Sequence, residues 1–237
     1  MFPARAVALC SSSKISRAWF SSSELFSPAS KSHFLSNTES VPLQWPLNPS
    51  IKKQFAVLVP LVDVFGEPAL LYTKRSSNLS SHRGLVSFPG GGMEERDSSL
   101  METAAREAWE EVGLLKEKLD IWGYMPPVPT RINGGEGLVT PVVALVRQEL
   151  KELIINEGEV QEVFTVELSR LSDPKLHGYT QFRGGVGIGH GFSLPVYWGG
   201  PHLIWGLTAV VTYQFMSALL GDIYIHGVEK QIDFKEL

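Results

Sequence analysis

Residues 88–114, FPGGGMEERDSSLMETAAREAWEEVGL, pass from a proline and three glycines into a helix pattern, and their reading decides the fold. Asp97 or Ser98 is suited to cap a helix, Leu100 and the alanines fill its apolar side, and Gly113 ends it after Val112. The pattern predicts a helix of about four turns. Arg106, Glu107, Glu110 and Glu111 sit on it, and residues three and four apart share a helix face. Three carboxylates gathered in one region repel one another unless a cation intervenes. Hard oxygen ligands of this kind suit Mg²⁺ or Mn²⁺, which take a few carboxylates together with the phosphates of a substrate. The glycines before the helix let backbone approach such a site closely and offer a carbonyl, that of Gly91, to the ion. An exposed charged helix face is the plainer reading of a lone Glu-Glu pair. RExxEE, a terminal glycine and FPGG together in one run favour chemistry.

The run resembles the Nudix box, whose core is REUxEExGU, and Arg106, Glu107, Glu110, Glu111, Gly113 and Leu114 match it. The first glutamate of the box has no counterpart. Counting back from Arg106 puts Ser98 in its place, and counting forward from Gly91 puts Asp97 there. Upstream, LLYTKRSS followed by GLVSFPGG resembles the signature of the coenzyme A diphosphatase subfamily. Leu71, Thr73, Arg75, Ser76, Gly84 and Phe88 to Gly91 are in register, while Tyr72 and Ser80 depart from it. Lys74, Arg75, His82 and Arg83 on a polar connection suit an anionic ligand with several phosphates, and Lys74, Arg75 and Arg83 are the substrate-binding candidates. GPHLIWGLTA is similar to the C-terminal part of the same subfamily.

The resemblance implies an α/β Nudix fold, an α/β/α sandwich with a mixed sheet. It implies a metal-dependent hydrolase that cleaves the pyrophosphate of coenzyme A and acyl-coenzyme A to 3′,5′-ADP and 4′-phosphopantetheines. Glu107 and Glu111 are then the principal ligands of Mg²⁺ or Mn²⁺, with Glu110 as an additional one, and Arg106 orients a carboxylate. Glu159 and Glu162, in an acidic stretch leading into a strand, are candidates for a further ligand or a base. The box alone fits a broader pyrophosphatase of ADP-ribose, NADH or nucleotide sugars equally well. A non-catalytic nucleotide-binding module is the third reading.

Outside the box, residues 1–37 hold Arg5, Lys14, Arg17 and Lys31 against Glu24, with many serines, and read as a mitochondrial transit peptide rather than folded protein. The expected address is the matrix. Cys10, the single cysteine, lies in that stretch, which removes disulfides and thiolate chemistry from the processed chain. The whole chain carries −4. A negative domain without clustered bases is a poor match for nucleic-acid backbone. No apolar run is long enough to span a membrane, and the oligomeric state is not readable.

Residues 38–54 read as an extended arm, 55–221 as one hydrolase domain and 222–237 as a tail. Gln54 to Phe65 and Ala69 to Thr73 predict a hairpin about Gly66-Glu67-Pro68, buried on both faces under helices. Further strands are expected at 119–124, 138–146 and 159–168, with Thr130 and Arg131 in a pocket loop. Residues 184–191 read as a glycine-rich hairpin or mobile loop, and 205–220 as an amphipathic helix.

Overall fold

In the computed structural model, which describes residues 21–41, 50–77, 83–132, 135–182, 192–224 and 226, the apolar hairpin organises the sheet. Strand β1 (Lys53–Val64) pairs antiparallel with β2 (Glu67–Arg75). The turn is Phe65-Gly66, both at positive φ, with the Gly66 amide donating to Asp63. Two left-handed residues match the twist of the flanking strands. The expected turn at Gly66-Glu67-Pro68 is therefore corrected by one residue, and Glu67 and Pro68 already pair with Val64 and Asp63.

Short strands β3 (Val86–Ser87) and β4 (Gly90–Gly92) join β2 and β1 respectively. Beyond the box helix, β5 (Leu119–Tyr124), β6 (Val128–Ile132) and β7 (Gly135–Val146) follow. Strand β7 runs parallel to β1 and antiparallel to β5 and β6. Strand β8 (Val160–Glu167) closes the other side on β2, giving a mixed sheet of eight strands among the described residues. Thr130 and Arg131 belong to β6, opposite Gly137 and Glu136, and not to a loop.

Alternation along β1 divides the core in two. Leu58 and Val62 face helix Leu100–Val112, packing with Ala104, Ala108 and Val112, whereas Val59 and Leu61 face the opposite layer. That second layer brings the main departure from the sequence reading. Helices α1 (Ser22–Leu25) and α2 (Pro28–Thr38) belong to it, with Phe34 fully buried between Trp122 and Phe215 at ring distances of 5.6 Å. Lys31 reaches Asp120 and the Ile121 carbonyl, and Asn37 donates to the Ala218 carbonyl. Residues 21–37 are folded protein, and the expectation of an unstructured stretch through 37 fails there.

The box helix is α3 (Leu100–Val112), and the four-residue α4 (Leu168–Leu171) follows β8. Helix α5 (Gly206–Leu220) is buried on almost every side, because the sheet, α2 and a small hairpin of β9 (His177–Phe182) and β10 (Phe192–Tyr197) surround it. The amphipathic reading of α5 is thus corrected. The tail packs too: Tyr224 and His226 are buried, and the Tyr224 hydroxyl meets that of Tyr197 at 2.7 Å. Residues 184–191 lie outside the described residues, as do Ser80 and His82. Among the described residues no helix is long and apolar enough to cross a membrane.

Candidate active site

The glycine run is a packing requirement. As β4 it lies along β1, with Val57 opposite Gly90 and Phe55 opposite Gly92. A Cβ on Gly90 would strike the Ala56 carbonyl, and one on Gly91 would take the space of the Glu107 carboxylate. Backbone and carboxylate can approach only because no side chain separates them.

The cap of helix α3 falls one residue after Ser98 and two after Asp97, the caps that the sequence reading offered. Ser99 is the cap and accepts from the Glu102 amide, while Glu102 turns back to the Ser98 amide and hydroxyl. Gly113, at φ 72°, ends the helix as expected. Asp97, freed from capping, accepts from the Glu94 amide, from Thr103 Oγ1 and twice from Arg106, through Nε and a terminal nitrogen, both at 2.9 Å. The paired Arg106 contact holds the Asp97 carboxyl well below the ordinary carboxylate range. Of the two positions the counts gave, Ser98 spends its hydroxyl on Glu102, and Asp97 supplies the carboxylate that meets the arginine.

Arg106 has its remaining donors directed inward. It donates to Glu107 and Glu110 at 3.0 Å each and to the Gly92 carbonyl at 3.0 Å. Such an arginine fixes the carboxylates about it. Glu110 is also bonded to Arg96 and lies on the exposed side of this network. Glu107 and Glu111 differ from it. Burial raises the Glu107 carboxyl, with Arg106 opposing. Glu111 is 2% exposed, and burial pushes it up to about 8, against the pull of Arg75 and with help from the charges of Glu107 and Glu159.

One oxygen of Glu111, Oε2, is buried without a hydrogen-bond partner, and Oε1 is 3.8 Å from a terminal nitrogen of Arg75. Among the described residues no three His, Cys, Asp or Glu side chains already form a metal cage. The orphaned Glu111 oxygen and the Glu107 carboxylate against Gly91 nevertheless fit a hard divalent ion, which takes few protein oxygens and completes its shell with water and phosphate.

The substrate candidates separate. A bulge between β2 and β8 sets Lys74 opposite Glu162 but Arg75 opposite Val160. Alternation along β2 puts Arg75, like Leu71, on the face of α3 and Glu111. Lys74, two residues on from Tyr72, shares the face of α5. Arg83 is exposed in the connection from β2 to β3. Of the acidic pair, Glu159 lies close enough to Glu107 and Glu111 to raise both, whereas Glu162 is held by His202 Nε2 at 2.8 Å. His202 sits edge-on to Phe164, and its role was not readable from the sequence because the partner lies 40 positions away.

A glycine-lined strand, an arginine-braced helix of glutamates and a mixed sheet between helix layers define a Nudix hydrolase. The NUDIX domain model matches residues 52–183, and the chain belongs to that family. It is 45% identical over 172 residues to mitochondrial coenzyme A diphosphatase NUDT8 of Mus musculus, covering 71% of this chain and 79% of the mouse protein. The Homo sapiens protein of the same name is 46% identical, covering 71% and 70%. Nudix hydrolase 3 of Caenorhabditis elegans is 34% identical, covering 87% of this chain and 92% of its own length. Nudix hydrolases generally use divalent metal ions.

Proposed function

We propose that this Nudix hydrolase is a metal-dependent coenzyme A diphosphatase of the mitochondrial matrix, releasing 3′,5′-ADP and the (acyl-)4′-phosphopantetheine. The observation that carries the reading is the buried, unpartnered Glu111 oxygen beside Arg75, a carboxyl and a guanidinium poised around one space. The LLYTKRSS signature ahead of the box and the names of the mouse and human relatives support the substrate, and those names also support the compartment.

Glu107 and Glu111 hold Mg²⁺ or Mn²⁺, with the Gly91 carbonyl alongside and Glu110 as an outer carboxylate tied to Arg106. The bound cation supplies neutralisation of the phosphoanhydride oxygens and a lowered pKa for bound water. Arg106, braced by Asp97, keeps Glu107 and Glu110 in place. Arg75 pairs with oxygens of the pyrophosphate, and its planar fork suits two of them at once. Lys74 and Arg83 serve the remaining phosphate from the other side of the β2 end. Glu159, whose charge is felt by both principal ligands, is the base candidate that the geometry favours over Glu162, because Glu162 is committed to His202.

Hydrolysis of coenzyme A, dephospho-coenzyme A, ADP-ribose and NADH, each with Mg²⁺ and with Mn²⁺, tests the proposal. Coenzyme A or its acyl esters should give the highest kcat/KM. A higher value for ADP-ribose or NADH replaces this reading with the broader pyrophosphatase, and no turnover of any of them leaves a binding module.

A further inference from the structure

We infer that Arg75 couples metal to substrate: it weakens divalent cation binding at Glu111 while the site is empty, and an arriving phosphate draws it off and so tightens the cation. The inference rests on the metal-dependent reading above and adds an order of assembly to it.

The Arg75–Glu111 contact has the features of a pairing made for want of a better partner. At 3.8 Å it is an ion pair but is too long for a hydrogen bond. Each member keeps a buried atom without a partner, Nε on Arg75 and Oε2 on Glu111. Among the described residues Glu111 forms no other ion pair. Arg106 is spent on Asp97, Glu107, Glu110 and Gly92, and Lys74 points to the other face.

The backbone of Arg75 is pinned. Its amide donates to the Leu85 carbonyl, its carbonyl accepts from the Gly84 amide, and its place in the alternation of β2 sets the direction of its side chain. Only the side chain is left to respond to a ligand. A guanidinium this close to a ligating carboxylate repels a doubly charged ion. Even with the high effective dielectric of a half-open site, that repulsion corresponds to about tenfold in affinity. A phosphate offers the guanidinium two short charge-assisted bonds in place of one long contact. Whatever the anion gains from the cation, the cation gains from the anion, because coupling free energies are reciprocal.

Mn²⁺ binding, followed by electron paramagnetic resonance of the free ion, tests this without turnover. The proteins are wild type, Arg75→Gln, Arg75→Met, Arg75→Lys and Glu111→Gln, and inorganic phosphate is the anion, corrected for its own complex with Mn²⁺. Without phosphate, and compared at the high-pH limit of Mn²⁺ binding where Glu111 is ionised in every protein that keeps it, the neutral variants should bind Mn²⁺ about tenfold more tightly than wild type, and Arg75→Lys should stay near it. Phosphate should tighten Mn²⁺ severalfold more in wild type than in Arg75→Gln, where only its direct attraction to the ion remains. Unchanged or weaker Mn²⁺ affinity in both neutral variants overturns the coupling, as does phosphate tightening of equal size in wild type and Arg75→Gln. Glu111→Gln separates the two ideas. If it binds Mn²⁺ as wild type does, the proposed metal site itself is wrong; if it loses Mn²⁺ while the Arg75 variants do not differ from wild type, only the coupling fails.

Discussion

Glu111 is a carboxyl whose chemistry and stability oppose each other. Burial lifts it to about 8 in the metal-free protein, above the unfolded value of about 4.3 for a glutamate. A carboxyl raised in this way contributes stability that is complete below the unfolded pKa and is lost as pH climbs through the window up to about 8. Glu111→Gln cannot ionise. The metal-free variant should therefore melt above wild type by a margin that widens from about pH 4.5 to about pH 8, as followed by circular dichroism. Mg²⁺ or Mn²⁺ should raise the melting temperature of the variant less than that of wild type, since a ligand stabilises only through its preference for the folded state. Hydrolysis should fall by about a hundredfold or more, because a hard ion held by few carboxylates cannot spare one. A variant that melts as predicted yet hydrolyses coenzyme A near the wild-type rate would make the carboxylates a solvated helix face. Next to it, Asp97→Asn removes the paired contact that aims Arg106 and should lower kcat about tenfold or more with KM little changed. Ser98→Ala, touching only Glu102, should stay within about threefold of wild type. Equal losses in the two variants would return the brace to Ser98.

At the scale of elements, the test falls on α2. Phe34 fills the space between Trp122 and Phe215 with no exposed surface, so Phe34→Ala should cost about 3–5 kcal/mol in urea unfolding. Removing residues 1–38 should lower the midpoint of the full chain steeply. Equal midpoints would show that α2 is an ornament on the sheet. The same element marks where the sequence stopped being legible. Strands β1, β5 and β7 and helix α3 could be read because dense apolar runs and the glycine punctuation repeat at the period of the element they form. Helix α2 holds Phe34 and Leu35 among serines and has no apolar stripe; its one local sign was Ser27 before Pro28, a cap followed by proline at the first helical position. The residues of α3 that face the site were legible for the reason that spacing fixes direction on a helix. Asp97 was left open because the loop before the helix has no period to count by. The parting of Lys74 from Arg75 follows from alternation along β2, and it was missed because the sequence reading ended that strand at Thr73 and left both residues in a connection.

For the molecule as a whole, charge and packing both bear on where an import signal can end. The chain carries −4, and residues 1–20 hold Arg5, Lys14 and Arg17 without an acid, so subtracting their +3 leaves −7 for 21–237. Residues 21–37 add Glu24 and Lys31, which cancel, so the basic excess expected of an import signal is already complete before Ser21. Helices α1 and α2 begin directly after it and are part of the second core layer. A protease that cut at residue 37 would remove Phe34, Lys31 and Asn37 from their places against β5 and α5. The expectation is a signal confined to 1–20, with the mature chain starting no later than Ser21. Residues 1–20 fused to a fluorescent protein should reach mitochondria, and N-terminal sequencing of the full chain recovered from cells should find its first residue at or before Ser21. Intact Met1 on cytosolic protein would remove the import signal, and a mature chain that starts after Thr38, folded and active, would sink the assignment of α2 to the core.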